Sequence, residues 1–153
     1  MAETYATDSY QNLLFSLIMY HTRTGHWPKH ITVVSHEFKR ARFMGLHRMA
    51  LQWPERDFTF IGLNPPEDIT PVEGLIASET ANRRLWLGDL YGVKDPLAQK
   101  RRKRGWQGRE SLDAMILDEA YMLDSEVLEL CQYDGGDNPR DLLQGLLPWA
   151  SRS

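Results

Sequence analysis

A single cysteine, Cys131, stands in 153 residues, so no internal disulfide can form and a reducing compartment is expected. Long apolar runs are absent. The longest, Leu13 to Met19, is interrupted by Ser16 and is far shorter than a bilayer span. The opening residues Met-Ala-Glu-Thr-Tyr lack the basic stretch and apolar core of a secretory signal. Together these absences make a cytoplasmic protein with no membrane contact the expectation. Charge of one sign is also missing. Eighteen Lys and Arg stand against 21 Asp and Glu, giving a net charge of −3 and no global attraction to nucleic acid or anionic lipid. No Gly-x-Gly-x-x-Gly, P-loop, Gly-x-Ser-x-Gly or His-Glu-x-x-His pattern occurs. His21, His26 and His30 lack the further ligands of a metal site, so no metal is expected.

What is present reads as one α/β domain. Leu13, Leu14, Leu17, Ile18 and His21 recur at helical spacing, which predicts a helix over 7–24. Thr7 or Asp8 can cap its start, and Gly25 with Pro28 ends it. Ile31-Thr32-Val33-Val34 is short and β-branched, as a buried strand requires. A second helix is expected over 37–52, closed by Trp53-Pro54, and a second strand over 58–63. The order helix, strand, helix, strand is that of a parallel sheet with crossover helices. Beyond it we expect a helix over 71–86, a short extended piece at 90–93 and a basic irregular loop over 94–108. A C-terminal helical part over 109–150 completes the chain, with helices at 111–130 and 139–147. Two parallel strands expose too much backbone edge to stand alone, so self-association through an unpaired edge is a further expectation.

The residues that can carry chemistry fall into three groups. Asp8, Ser9 and Asn12 sit at a helix start, where free amides favour an anion, and Ser9 and Asn12 lie one turn apart. Plain helix capping is the competing reading. Ser35, His36, Lys39, Arg40 and Arg42 follow the first strand, the end at which open α/β sheets place ligands. A solvated basic helix face is the competing reading there. Lys100-Arg101-Arg102-Lys103-Arg104 suits a nuclear signal or a nucleic-acid contact, but a solvated loop is the favoured reading, and nucleic acid is ranked last among partners. His47 with Arg48 is a lesser candidate. Trp27, Trp53, Trp86, Trp106 and Trp149 read as packing anchors.

The segment from Glu3 through Asp8-Ser9-Tyr10-Gln11-Asn12, the helix after it, and Ile31-Thr32-Val33-Val34-Ser35 resemble the middle of the YdcF/SanA-like family. That family carries a Glu, then an Asn/Asp-Ser/Thr-x-x-Asn motif opening a helix, then a strand ending in Ser and a basic helix start. Phe38-Lys39-Arg40, Leu46-His47-Arg48, Trp53-Pro54, Asp89-Leu90-Tyr91-Gly92 and Lys100-Arg101 are similar to its eukaryotic, chiefly fungal, branch. The resemblance implies a Rossmann-like three-layer parallel sheet with crossover helices, N-terminally truncated, because the family's glycine-rich first turn precedes the Glu motif. It implies a small anionic or nucleotide-like ligand, with S-adenosylmethionine as one such cofactor. It also adds Glu3 to the candidate ligand residues Asp8, Ser9, Asn12, Ser35, His36, Arg40 and Arg42. The family histidine stands a few residues beyond the Ser, whereas His36 follows Ser35 directly and Phe38 takes the other place. Arg40 and Arg42 match the family arginine equally well. A non-catalytic interaction or regulatory module with an incomplete site is the alternative.

Overall fold

A computed structural model of the chain describes residues 3–64, 72–118, 123–138 and 140–150. Helix α1 spans Ser9–Thr24. The Asp8 side chain caps it by accepting the Gln11 amide, and Gly25 ends it at φ 72°, a left-handed turn that glycine adopts without steric cost. Tyr10, Leu13, Leu14, Leu17 and Ile18 form its buried stripe.

Strands β1 (Ile31–His36) and β2 (Phe58–Leu63) pair in parallel, in register from Ile31 opposite Phe58 to His36 opposite Leu63. The parallel order expected from the helix–strand alternation is therefore present. Side chains alternate across the pleat. Ile31, Phe58 and Phe60 enter the core, whereas Thr32, Val34 and His36 with Thr59, Ile61 and Leu63 face outward. Val34 is 58% exposed, Ile61 47% and Leu63 55%. A parallel sheet is ordinarily covered on both faces, so this apolar face lacks its usual layer among the described residues.

The helix α2, over 37–50, changes its winding three times. A 3-10 turn at Glu37–Lys39 gives way to an α turn at Arg40–Arg42, a π turn at Phe43–His47 and a last α turn at Arg48–Ala50. Helices α3 (Val72–Gly88), α4 (Leu97–Lys103), α5 (Arg109–Asp118) and α6 (Ser125–Gln132) follow.

Several expectations need correction here. The stretch 94–108 is not irregular throughout. It contains α4, because Leu97 and Arg101, one helical turn apart, both bury against the core. The helix expected over 111–130 is two helices among the described residues, with Leu123 and Asp124 outside regular structure before α6. Leu90-Tyr91-Gly92-Val93 is a turn, tied by the Gly92 amide to the Asp89 carbonyl and by the Val93 and Lys94 amides to the Asp89 carboxylate. The final helix expected over 139–147 does not form among the described residues; Pro139 lies outside them. Gly145 there has φ 126°, outside helical backbone, and the Leu143 amide is taken by the Tyr91 hydroxyl. Pro71 also lies outside the described residues.

Trp27, Trp53, Trp86 and Trp149 are buried anchors, as expected, while Trp106 is half-buried and stacks on Phe15. Trp149 buries against Trp27 and Trp53 and donates from Nε1 to the Leu51 carbonyl at 2.6 Å, holding the C-terminal segment against α2. Burying a large apolar side chain contributes about 1.5–3 kcal/mol.

Candidate functional site

A cleft of about 840 Å³ opens where the start of α1, the end of β1, the first turns of α2, and helices α3 and α4 meet. Of the residues singled out at the helix start and after the first strand, Asp8, Ser9, His36, Lys39 and Arg42 line it. Glu3, Asn12, Ser35 and Arg40 do not. Glu3 turns inward on its own segment and accepts the Tyr5 and Ala6 amides. Asn12 is on the exposed side of α1, so Ser9 and Asn12 do not converge. Arg40 is held by Glu37, three residues back, and by the Phe60 carbonyl, so Arg42 is the arginine that enters the cleft.

Ser9 is the centre of the arrangement. Its Oγ lies 2.8 Å from His47 Nε2 and accepts a hydrogen bond of 2.8 Å from Arg42 Nη1. Arg42 simultaneously grips Glu79, Nε to Oε1 at 2.8 Å and Nη2 to Oε2 at 3.1 Å. That fork-to-carboxylate pairing fixes the guanidinium plane. Both side chains of the pair are nearly buried, at 7% and 9% exposure.

The π turn explains the convergence. Residues five apart on a regular α-helix point about 140° away from each other. The wider turn, closed by the Arg48 amide on the Phe43 carbonyl, brings Arg42 and His47 to one hydroxyl.

His47 is fully buried, packed edge-on to Trp86, Phe43 and Tyr10, and its Nδ1 has no partner among the described residues. Burial, then Arg42, then Arg101 hold its imidazole well below the ordinary histidine range. All three effects favour the neutral ring. A proton taken from Ser9 would create an imidazolium near two guanidiniums, so the geometry opposes a nucleophile–base role for this pair.

Asp8 has two tasks. One oxygen caps α1 and the other pairs with Arg101 Nε at 2.5 Å, both side chains being largely buried. The Ser9 and Tyr10 amides of the first turn are left without a protein acceptor among the described residues.

The cleft carries unbalanced positive charge. Its carboxylates, Asp8 and Glu79, are each matched by an arginine. Lys39, Lys100 and Arg104 line it as well and have no carboxylate partner among the described residues; Arg104 donates to the Thr7 carbonyl. The basic run is thus not a uniformly solvated face. Arg101 is structural, while Lys100 and Arg104 face the cleft.

Sequence reasoning missed Glu79 and underrated His47, Arg101, Lys100 and Arg104. A carboxylate on a separate helix, 37 residues from Arg42, leaves no local signal. Among the described residues no cluster of three or more His, Cys, Asp or Glu could hold a metal ion, and no helix is long and apolar enough to cross a membrane.

The chain is 30% identical over 110 residues to the uncharacterized protein YOR238W of Saccharomyces cerevisiae. That match covers 67% of this chain and 36% of the yeast protein. No family model matches the chain, and no solved structure matches it.

Proposed function

We propose that the protein binds a small phosphate-bearing anion in the cleft at the carboxyl end of its sheet. The observation that carries this reading is the surplus of Lys39, Lys100 and Arg104 beside the Ser9 hydroxyl and the free first-turn amides of α1. Charge-assisted contacts of that kind are about twice as strong as neutral hydrogen bonds. The helix start adds partial positive charge of its own. A nucleotide fits this charge better than S-adenosylmethionine, whose sulfonium is cationic. The Rossmann-like architecture and the YdcF/SanA-like resemblance belong to the same proposal, since a ligand at the strand ends of an open α/β sheet is what that fold would predict. A thermal-shift series with inorganic phosphate, phosphosugars, adenine nucleotides and S-adenosylmethionine tests it. We expect a saturable rise of the midpoint with phosphorylated compounds. In Lys100→Glu/Arg104→Glu the rise should vanish while the unliganded midpoint moves little, both positions being exposed. An equal rise in that variant would sink the reading.

A second reading, an interaction module, is favoured by the exposed face of Val34, Ile61 and Leu63. It predicts concentration-dependent association in sedimentation velocity, abolished in Val34→Lys/Ile61→Lys. A monomer at all concentrations would remove the support for self-association.

A further inference from the structure

We propose that Ser9 meets the ligand as a hydrogen-bond donor, so that the atom seated on it is an oxyanion oxygen, with Arg42 and His47 as the positioning residues that enforce this polarity. The inference rests on the anion-binding reading of the cleft and specifies its chemistry at one atom.

A serine hydroxyl has one hydrogen and two lone pairs. A guanidinium offers only donors, so Arg42 Nη1 at 2.8 Å fills one lone pair whatever else happens. The second neighbour, His47 Nε2, can play either part. With the ring hydrogen on Nδ1, Nε2 would accept from Ser9, and a buried Nδ1–H would stand without an acceptor. With the hydrogen on Nε2, Ser9 accepts a second time, and Nδ1 keeps a bare lone pair. Among buried backbone groups an orphaned N–H is rarer than an under-satisfied acceptor, and the same preference selects the Nε2–H ring here.

Both lone pairs of Ser9 are then occupied. Its single hydrogen has no acceptor among the described residues and turns to the cleft that Ser9 lines. An approaching ammonium or amide N–H finds no free lone pair, whereas a phosphoryl or carboxylate oxygen finds a donor. The neutral state of His47 does not weaken this, because the Nε2–H form donates without carrying charge.

Two measurements decide the matter. A long-range proton–nitrogen correlation on the free wild-type protein reads the His47 tautomer directly. We expect hydrogen on Nε2; hydrogen on Nδ1 would overturn the proposal, whether or not any ligand binds. Phosphate titration of wild type, Ser9→Ala and Ser9→Thr follows. Loss of a hydrogen bond to a charged group weakens binding about ten- to hundredfold, which is expected for Ser9→Ala, with partial or full retention in Ser9→Thr. Wild-type affinity in a cooperatively folded Ser9→Ala protein would also overturn it. If wild type takes up no phosphate, the anion-binding reading fails, and the oxyanion assignment falls with it. In that case an Nε2–H result retains only the outward donor.

Discussion

Glu79→Ala should lower the free energy of unfolding by about 3–5 kcal/mol, measured by urea denaturation. The loss is large because of what remains. Arg42 is 7% exposed, lies against the Phe43 ring and sits close enough to the buried His47 to depress its basicity. Removing the carboxylate leaves a guanidinium in that setting with only the Ser9 hydroxyl as hydrogen-bond partner among the described residues. Small domains hold about 5–15 kcal/mol in total, so about a fifth or more of the stability is at stake. The replacement Arg42→Met/Glu79→Leu removes both charges and should recover most of the loss, because an apolar pair of similar volume is often as stable as a buried ion pair. It should also weaken phosphate binding by up to the ten- to hundredfold expected for Ser9→Ala, since the guanidinium that aims Ser9 is gone. A Glu79→Ala protein within 1 kcal/mol of wild type would show that water reaches Arg42.

Asp8→Ala should be comparably destabilising, for two reasons that a second variant separates. The cap on α1 contributes about 1 kcal/mol. The remainder comes from Arg101, which is buried, already carries an unpartnered Nη2, and would lose its only carboxylate among the described residues. Breaking such a pair costs about 3–5 kcal/mol. The two contributions share one side chain and need not add. Asp8→Asn keeps a good cap but no charge, so it should lose only the ion-pair share. If Asp8→Asn is as stable as wild type, Arg101 is not dependent on Asp8. Loss of the pair should also loosen α4, and with it Lys100 and Arg104, so anion binding falls together with stability.

Those predictions draw on contacts that the sequence shows unevenly. Helix α1 was legible because its signals are local: a periodic apolar stripe, an aspartate before it and a glycine after it. The two strands were legible for a similar reason, and their parallel pairing followed from the helix between them. Helix α4 was hidden because five consecutive cations read as solvent-facing chain. Its helicity is decided by burial of Leu97 and Arg101, a tertiary effect that overrides local preference. The same holds for residues 140–150, where Trp149 and the Tyr91–Leu143 contact hold a non-helical course.

At the site, Asp8, Ser9, His36, Lys39 and Arg42 were found from the sequence because a helix start and a strand end are recognisable places for a ligand. The choice between Arg40 and Arg42 needed three dimensions. Glu37 captures the first, and Glu79, from a distant helix, orients the second. His47 looked like an ordinary packed histidine. What sets it apart is the π turn, which is invisible in a pattern of apolar residues and which alone brings positions 42 and 47 to the same hydroxyl.

The most direct test of the central claim, a cationic cleft that takes a phosphate-bearing anion at Ser9, is an amide-resolved NMR titration with inorganic phosphate at low salt. The account predicts saturable shifts confined to Ser9 and Tyr10, to 36–42 and to 100–104, weakening as sodium chloride is added. Shifts that never saturate, or that gather instead around the aromatic cavity of Phe15, Tyr91, Trp106 and Tyr133, would contradict it.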